Sequence, residues 1–94
     1  MYIGDYYFET PCRPEQLLGQ PGVYAIVGPR QDLLDVGQSD NVRARIQSHE
    51  RVGCWNRHAP LGWLVAVHYT PDPEKRTLIE RHIRQTRSLP CGER

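Results

Sequence analysis

The stretch Gly22-Val23-Tyr24-Ala25-Ile26-Val27-Gly28-Pro29-Arg30-Gln31-Asp32-Leu33-Leu34-Asp35-Val36-Gly37 decides the fold. Val23 to Val27 is a run of mostly β-forming residues. Gly28-Pro29-Arg30-Gln31 breaks it as a turn. Leu33-Leu34-Asp35-Val36 then gives a second strand, which ends at Gly37. So short a link makes the two strands an antiparallel hairpin. One acid, Asp35, stands in the otherwise apolar second strand, and that calls for an explanation.

Outward from the hairpin, Ser39 or Asp40 can cap a helix running from about Asn41 to Glu50. Within it Val42 and Ile46 face the core, and Arg45 and His49 share a neighbouring face at i, i+4. Residues 51–62 are expected to be irregular, because Gly53, Pro60 and Gly62 interrupt them. Cys54-Trp55 would plug a core gap or touch a ligand. Trp63-Leu64-Val65-Ala66-Val67-His68-Tyr69 is the strongest strand. Both its faces are largely apolar, which predicts a central strand covered on both sides. The last helix runs from about Glu74 to Arg87, with Ile79 and Ile83 inward. On the N-terminal side, tyrosine-rich Met1 to Phe8 adds a strand or packing segment, and Arg13 to Leu18 a short helix. The core order is β-β-α-β-α. It predicts a single small α/β domain spanning 1–94, with an N-terminal extension (1–20) and a core (21–90). Its sheet has three strands, mostly antiparallel, flanked by helices.

Composition excludes several classes. Ninety-four residues fit one domain. No apolar run approaches the roughly 20 residues of a membrane helix, so no membrane partner is expected. Met1 to Thr10 carries two acids, no base and no apolar core, unlike a signal peptide. The three cysteines, Cys12, Cys54 and Cys91, are odd in number and without a secretion signal. That predicts reduced thiols in the cytoplasm rather than disulfides. No two of them form a CxxC pair, which argues against a zinc site. The net charge of +1 hides an asymmetry: residues 1–40 hold two bases and six acids, residues 41–94 ten bases and five acids. A basic second part suits a polyanion, and equally a solvated arginine-bearing helix face.

Gly22-Val23-Tyr24, ten residues, then Asp35-Val36-Gly37 resembles the paired strand motifs of the GIY-YIG nuclease family. The run Gly37-Gln38-Ser39-Asp40-Asn41-Val42-Arg43-Ala44-Arg45-Ile46 resembles the family's glycine, polar turn and helix bearing a catalytic arginine, here Arg45. Leu78-Ile79-Glu80 resembles its metal-binding glutamate. The resemblance covers roughly residues 21–90, with four motifs in order on the right elements. It implies an endonuclease that hydrolyses phosphodiester bonds in DNA with one divalent cation, Mg²⁺ or Mn²⁺.

Such chemistry needs an activated water, a cation near the phosphorane and help for the leaving oxygen. Glu80 is the implied metal ligand; its alternative is an ion-pair ladder with Arg76 and Arg84 at i−4 and i+4. Arg45 would fork onto phosphate oxygens. Tyr24 matches the first motif's tyrosine, and its phenol would position the attacking water or accept its proton; otherwise it is a strand tyrosine with a buried ring. His49 resembles the histidine some members carry one turn past the arginine, and its ordinary pKa of about 6.5 suits a general base. Asp35 departs from the family, whose second motif usually begins with tyrosine. Three readings stand: a carboxylate base or second metal ligand, a partner that orients Arg45 or another base, or the mark of a module that binds without cutting. Ser39 and Asn41, at the helix start, are phosphate contacts or caps. Arg43, Arg51 and Arg57, with Lys75, Arg81 and Arg87, are candidates to line a nucleic-acid backbone. Ninety-four residues leave little space for sequence-reading elements. Structure-selective action on branched or structured DNA, weakly specific action, or dependence on a partner or homodimer is therefore expected. The alternative function is a catalytically impaired module that binds nucleic acid or a partner.

Overall fold

A computed structural model describes residues 1–92. Its elements run β1 (Tyr2–Ile3), β2 (Tyr6–Tyr7), a 3-10 turn (Pro14–Gln16), β3 (Gly22–Val27), β4 (Leu33–Ser39), α1 (Val42–Gln47), α2 (Val52–His58), β5 (Leu64–Tyr69) and α3 (Pro73–Thr86). The α/β class is as the sequence predicts: a three-stranded antiparallel sheet with helices against it. The order across the sheet is β4-β3-β5.

The hairpin lies at the centre. Every residue of β3 is buried, because neighbours take both its edges and packed layers take both its faces. Tyr24 and Ile26 of β3, with Val65 and Val67 of β5, pack against Val42, Ile46 and Trp55 of α1 and α2. The alternate residues Val23, Ala25, Val36 and Ala66 pack against Ile79 and Ile83 of α3 and against Ile3 of β1 and Phe8, which follows β2. The period-2 alternation of a strand thus sorts its residues into two apolar layers.

Four expectations need correction. Residues 64–69 form an edge strand, not the central one. Their apolar character has another cause: the segment before the core runs along the outer edge of β5. There Glu9 N–H donates to Val67 O (2.8 Å) and Cys12 N–H to Val65 O (2.9 Å). The helix expected over 41–50 stops at Gln47, so His49 lies beyond it. The segment 51–62 is not wholly irregular, since it holds α2; burial of Trp55 there outweighs the helix-weakening Gly53. The expectation of reduced thiols fails for two of three cysteines: Cys54 and Cys91 form a disulfide, and Cys12 is free. Folding brings this pair together because Cys91 N–H donates to Leu34 O (2.9 Å), laying the last segment along β4 beside α2. Among the described residues, no helix is long and apolar enough to cross a membrane.

Candidate active site

Tyr24 on β3 faces Gly37 on β4 in register. A Cβ at residue 37 would overlap the Tyr24 hydroxyl, so glycine there lets the ring lie flat against the neighbouring strand. The ring is buried and its hydroxyl meets His49 Nε2 at 2.8 Å. His49 is also buried, in the link between α1 and α2, with its ring edge-on to Tyr24 and 4.5 Å from Trp55.

The hydrogen bonds assign the tautomer. Arg51 N–H donates to His49 Nδ1 (3.0 Å), so Nδ1 carries no proton. Burial, then the charges of Arg45 and Arg51, push the imidazole pKa down to about 4. The neutral ring therefore holds its proton on Nε2 and donates it to the Tyr24 oxygen. Burial pushes the phenol up to about 12, so it stays protonated, with its own hydrogen free for another acceptor. The other charges acting on that phenol come from Arg45, Asp35, Arg51 and Glu80. They belong to α1, β4, the α1–α2 link and α3.

Asp35 is fully buried. Its Oδ2 accepts from Arg51 Nε (2.7 Å) and from the Trp55 indole N–H (2.9 Å). Its Oδ1 accepts from Val36 N–H (2.8 Å) and Arg51 Nη2 (3.3 Å), with Arg84 Nη2 4.0 Å away. Of the three readings for this residue, the geometry matches pairing with a base. That base is Arg51, not Arg45.

Arg45 forks onto the exposed carboxylate of Glu50, with bonds of 2.8 and 2.9 Å. That hydrogen bond holds Glu50 down to about 2. Glu80 accepts from Arg84 Nε (3.0 Å) through Oε2. Only half of the expected ladder forms, because Arg76 turns the other way. It is buried, and it donates to Gln38 (3.0 Å), Thr70 O (3.2 Å) and Asp40 (2.7 Å). Glu80 lines an open concavity of about 660 Å³ with Thr77, Arg81, Arg84 and Gln85.

The remaining candidates divide. Arg43 and Arg57 are exposed, as are Lys75, Arg81 and Arg87. Arg51 is not a backbone-lining arginine, since its guanidinium is committed to Asp35. Asn41 caps α1 by accepting from Ala44 N–H (3.1 Å), and Ser39 Oγ accepts from Asn41 N–H (3.0 Å). Both therefore serve the local turn. Trp55 is core, its indole serving Asp35. Arg84, which the sequence offers as an ion-pair partner of Glu80, does pair with it and also donates to Val36 O (2.6 Å) and Gly92 O (2.5 Å), two contacts that the sequence does not signal.

No protein-family model, no curated protein and no solved structure matches the chain.

Proposed function

We propose that the chain is a divalent-metal-dependent endonuclease acting on phosphodiester bonds in DNA, with the arrangement of the GIY-YIG family. What supports the reading is one observation. The Tyr24 phenol is hydrogen-bonded to the His49 imidazole, and the charges of the Arg45 guanidinium and the Glu80 carboxylate, from separate elements, bear on that phenol.

The donor set fits a hard cation at Glu80. Mg²⁺ is held by one or two carboxylates plus waters and phosphate oxygens, and the bond to Arg84 uses one of the two Glu80 oxygens. Asp35 does not fit as a second ligand, because both its oxygens are engaged by donors. When bound, the cation supplies positive charge for the phosphorane and the departing 3′ oxygen. Arg45 turns from Glu50 to a phosphate oxygen; an exposed, solvent-screened ion pair of that kind is weak, so the exchange costs little. Tyr24, held by His49 Nε2–H, donates its own hydrogen to a non-bridging phosphate oxygen, and the attacking water gives up its proton to solvent. Neither ring is a ready base at neutral pH: one stays protonated and the other has both nitrogens bonded. Asp35 acts as a positioning residue through Arg51.

One observation favours a second reading. Arg45 and Glu80 already have partners in Glu50 and Arg84, as expected of a module that binds without cutting. Incubating the chain with supercoiled and branched DNA, with Mg²⁺ and then with chelator, separates the two. Chelator-sensitive nicking supports the endonuclease. Salt-sensitive binding without nicking supports the module. Neither binding nor nicking removes both.

A further inference from the structure

Cys54 and His58 stand one turn apart on α2, at i and i+4, and therefore share a face. Cys91 comes to the same place from the segment after α3, held by its N–H to Leu34 O. The two sulfurs and one ring nitrogen of His58 all lie within 4.8 Å of one another. A disulfide needs only the cysteines. The exposed histidine beside them completes a Cys₂His donor set.

We infer that, once reduced, Cys54, His58 and Cys91 form a zinc site, and that the disulfide and the zinc ion are alternative states of one clamp. Zn–S distances near 2.3 Å and Zn–N near 2.0 Å require tetrahedral edges of roughly 3.8 Å between sulfurs and roughly 3.5 Å from sulfur to nitrogen. The present spread of the donor atoms accommodates the sulfur-to-nitrogen edges. Breaking the S–S bond lets the sulfurs separate by side-chain rotation, over a Cα separation of 5.8 Å. The chemistry balances. A dithiol gives two electrons and two protons to the Cys54–Cys91 bond and becomes a disulfide itself. Zinc then binds two thiolates and releases two protons. Water takes the fourth position. Thiolate and imidazole donors select a borderline-soft ion, unlike the oxygen donor at Glu80. In either state α2 stays fastened to the segment that reaches β4, and so Trp55 and Arg51 stay against Asp35.

The test uses the full chain, reduced with a dithiol and desalted without oxygen, then titrated with Co²⁺ and back-titrated with Zn²⁺. The expected result is one Co²⁺ per chain with a thiolate-to-metal charge-transfer band that Zn²⁺ erases. The oxidised chain should lack the band. His58→Ala, an exposed position that leaves the disulfide intact, should weaken binding in the reduced form by about tenfold or more. Cys12→Ser should bind as the parent does. Absence of the band in folded, reduced protein would overturn the inference. So would equal affinity in His58→Ala, or loss of binding in Cys12→Ser.

Discussion

The Asp35 carboxylate is fully buried and is held by a guanidinium, an indole N–H and a backbone N–H. Removing one partner of such a pair costs far more than the pair itself contributes, because a charge is left uncompensated. Arg51→Ala should therefore destabilise the fold by about 3 kcal/mol, read as a shift in the urea midpoint. A change below about 1 kcal/mol would show that Trp55 and Val36 suffice for the carboxylate. His49 makes a second prediction. Its pKa falls from the ordinary 6.5 to about 4 on folding, so between these values the unfolded chain binds the extra proton. Stability is then fully present above pH 6.5 and is lost as the pH drops towards 4, by on the order of 3 kcal/mol. Glu50, held down to about 2, acts in the same direction below its ordinary 4.5. Thermal melts across pH 4–7 should show this acid slope, and His49→Gln should flatten it. An unchanged slope in the variant would assign the loss to other groups. The oddity of Asp35 was visible in the sequence. Its partner was not, because sixteen residues separate Asp35 from Arg51 and only the turn between α1 and α2 joins them.

At the scale of elements, the β3–β4 hairpin carries the site, and its glycine is the tightest point. Gly37→Ala would drive a methyl group into the Tyr24 hydroxyl. The expected cost is about 1–3 kcal/mol, with the Tyr24–His49 contact displaced. Chemical denaturation and the His49 imidazole signals by NMR read both effects; a variant as stable as the parent would contradict the register. The strands, α3 and the short turn at 14–16 were legible because each has a clear period and boundary chemistry. Asp72 caps α3 by accepting from Glu74 and Lys75 N–H, with Pro73 next. The break between α1 and α2 was not legible. Residues 48–51 carry no glycine or proline, and it is the burial of His49 and Trp55 that turns the chain there. The apolar run 64–69 suggested a central strand because an edge covered by the chain's own N-terminal segment looks the same from inside.

At the scale of the molecule, one covalent link closes a long loop. Cys54 and Cys91 are 37 residues apart, a spacing that carries no motif. Reducing them should cost about 3–4 kcal/mol from loop entropy, seen as a lower urea midpoint under reductant. Added Zn²⁺ should restore part of that loss; an unchanged midpoint on reduction would mean the unfolded chain gains little freedom. Charge also reads differently in three dimensions. Arg51, Arg76 and Arg84 serve internal carboxylates and carbonyls, which leaves Arg43, Arg57, Lys75, Arg81 and Arg87 exposed for a polyanion. The central claim is that Glu80 and the groups around Tyr24 form a nuclease site. The most direct measurement compares the parent chain with Glu80→Gln for Mg²⁺-dependent nicking of supercoiled plasmid, with DNA binding measured alongside. The account predicts nicking by the parent, its loss in Glu80→Gln, and equal binding by both. Equal nicking by the two proteins, or none by the folded parent, would contradict it.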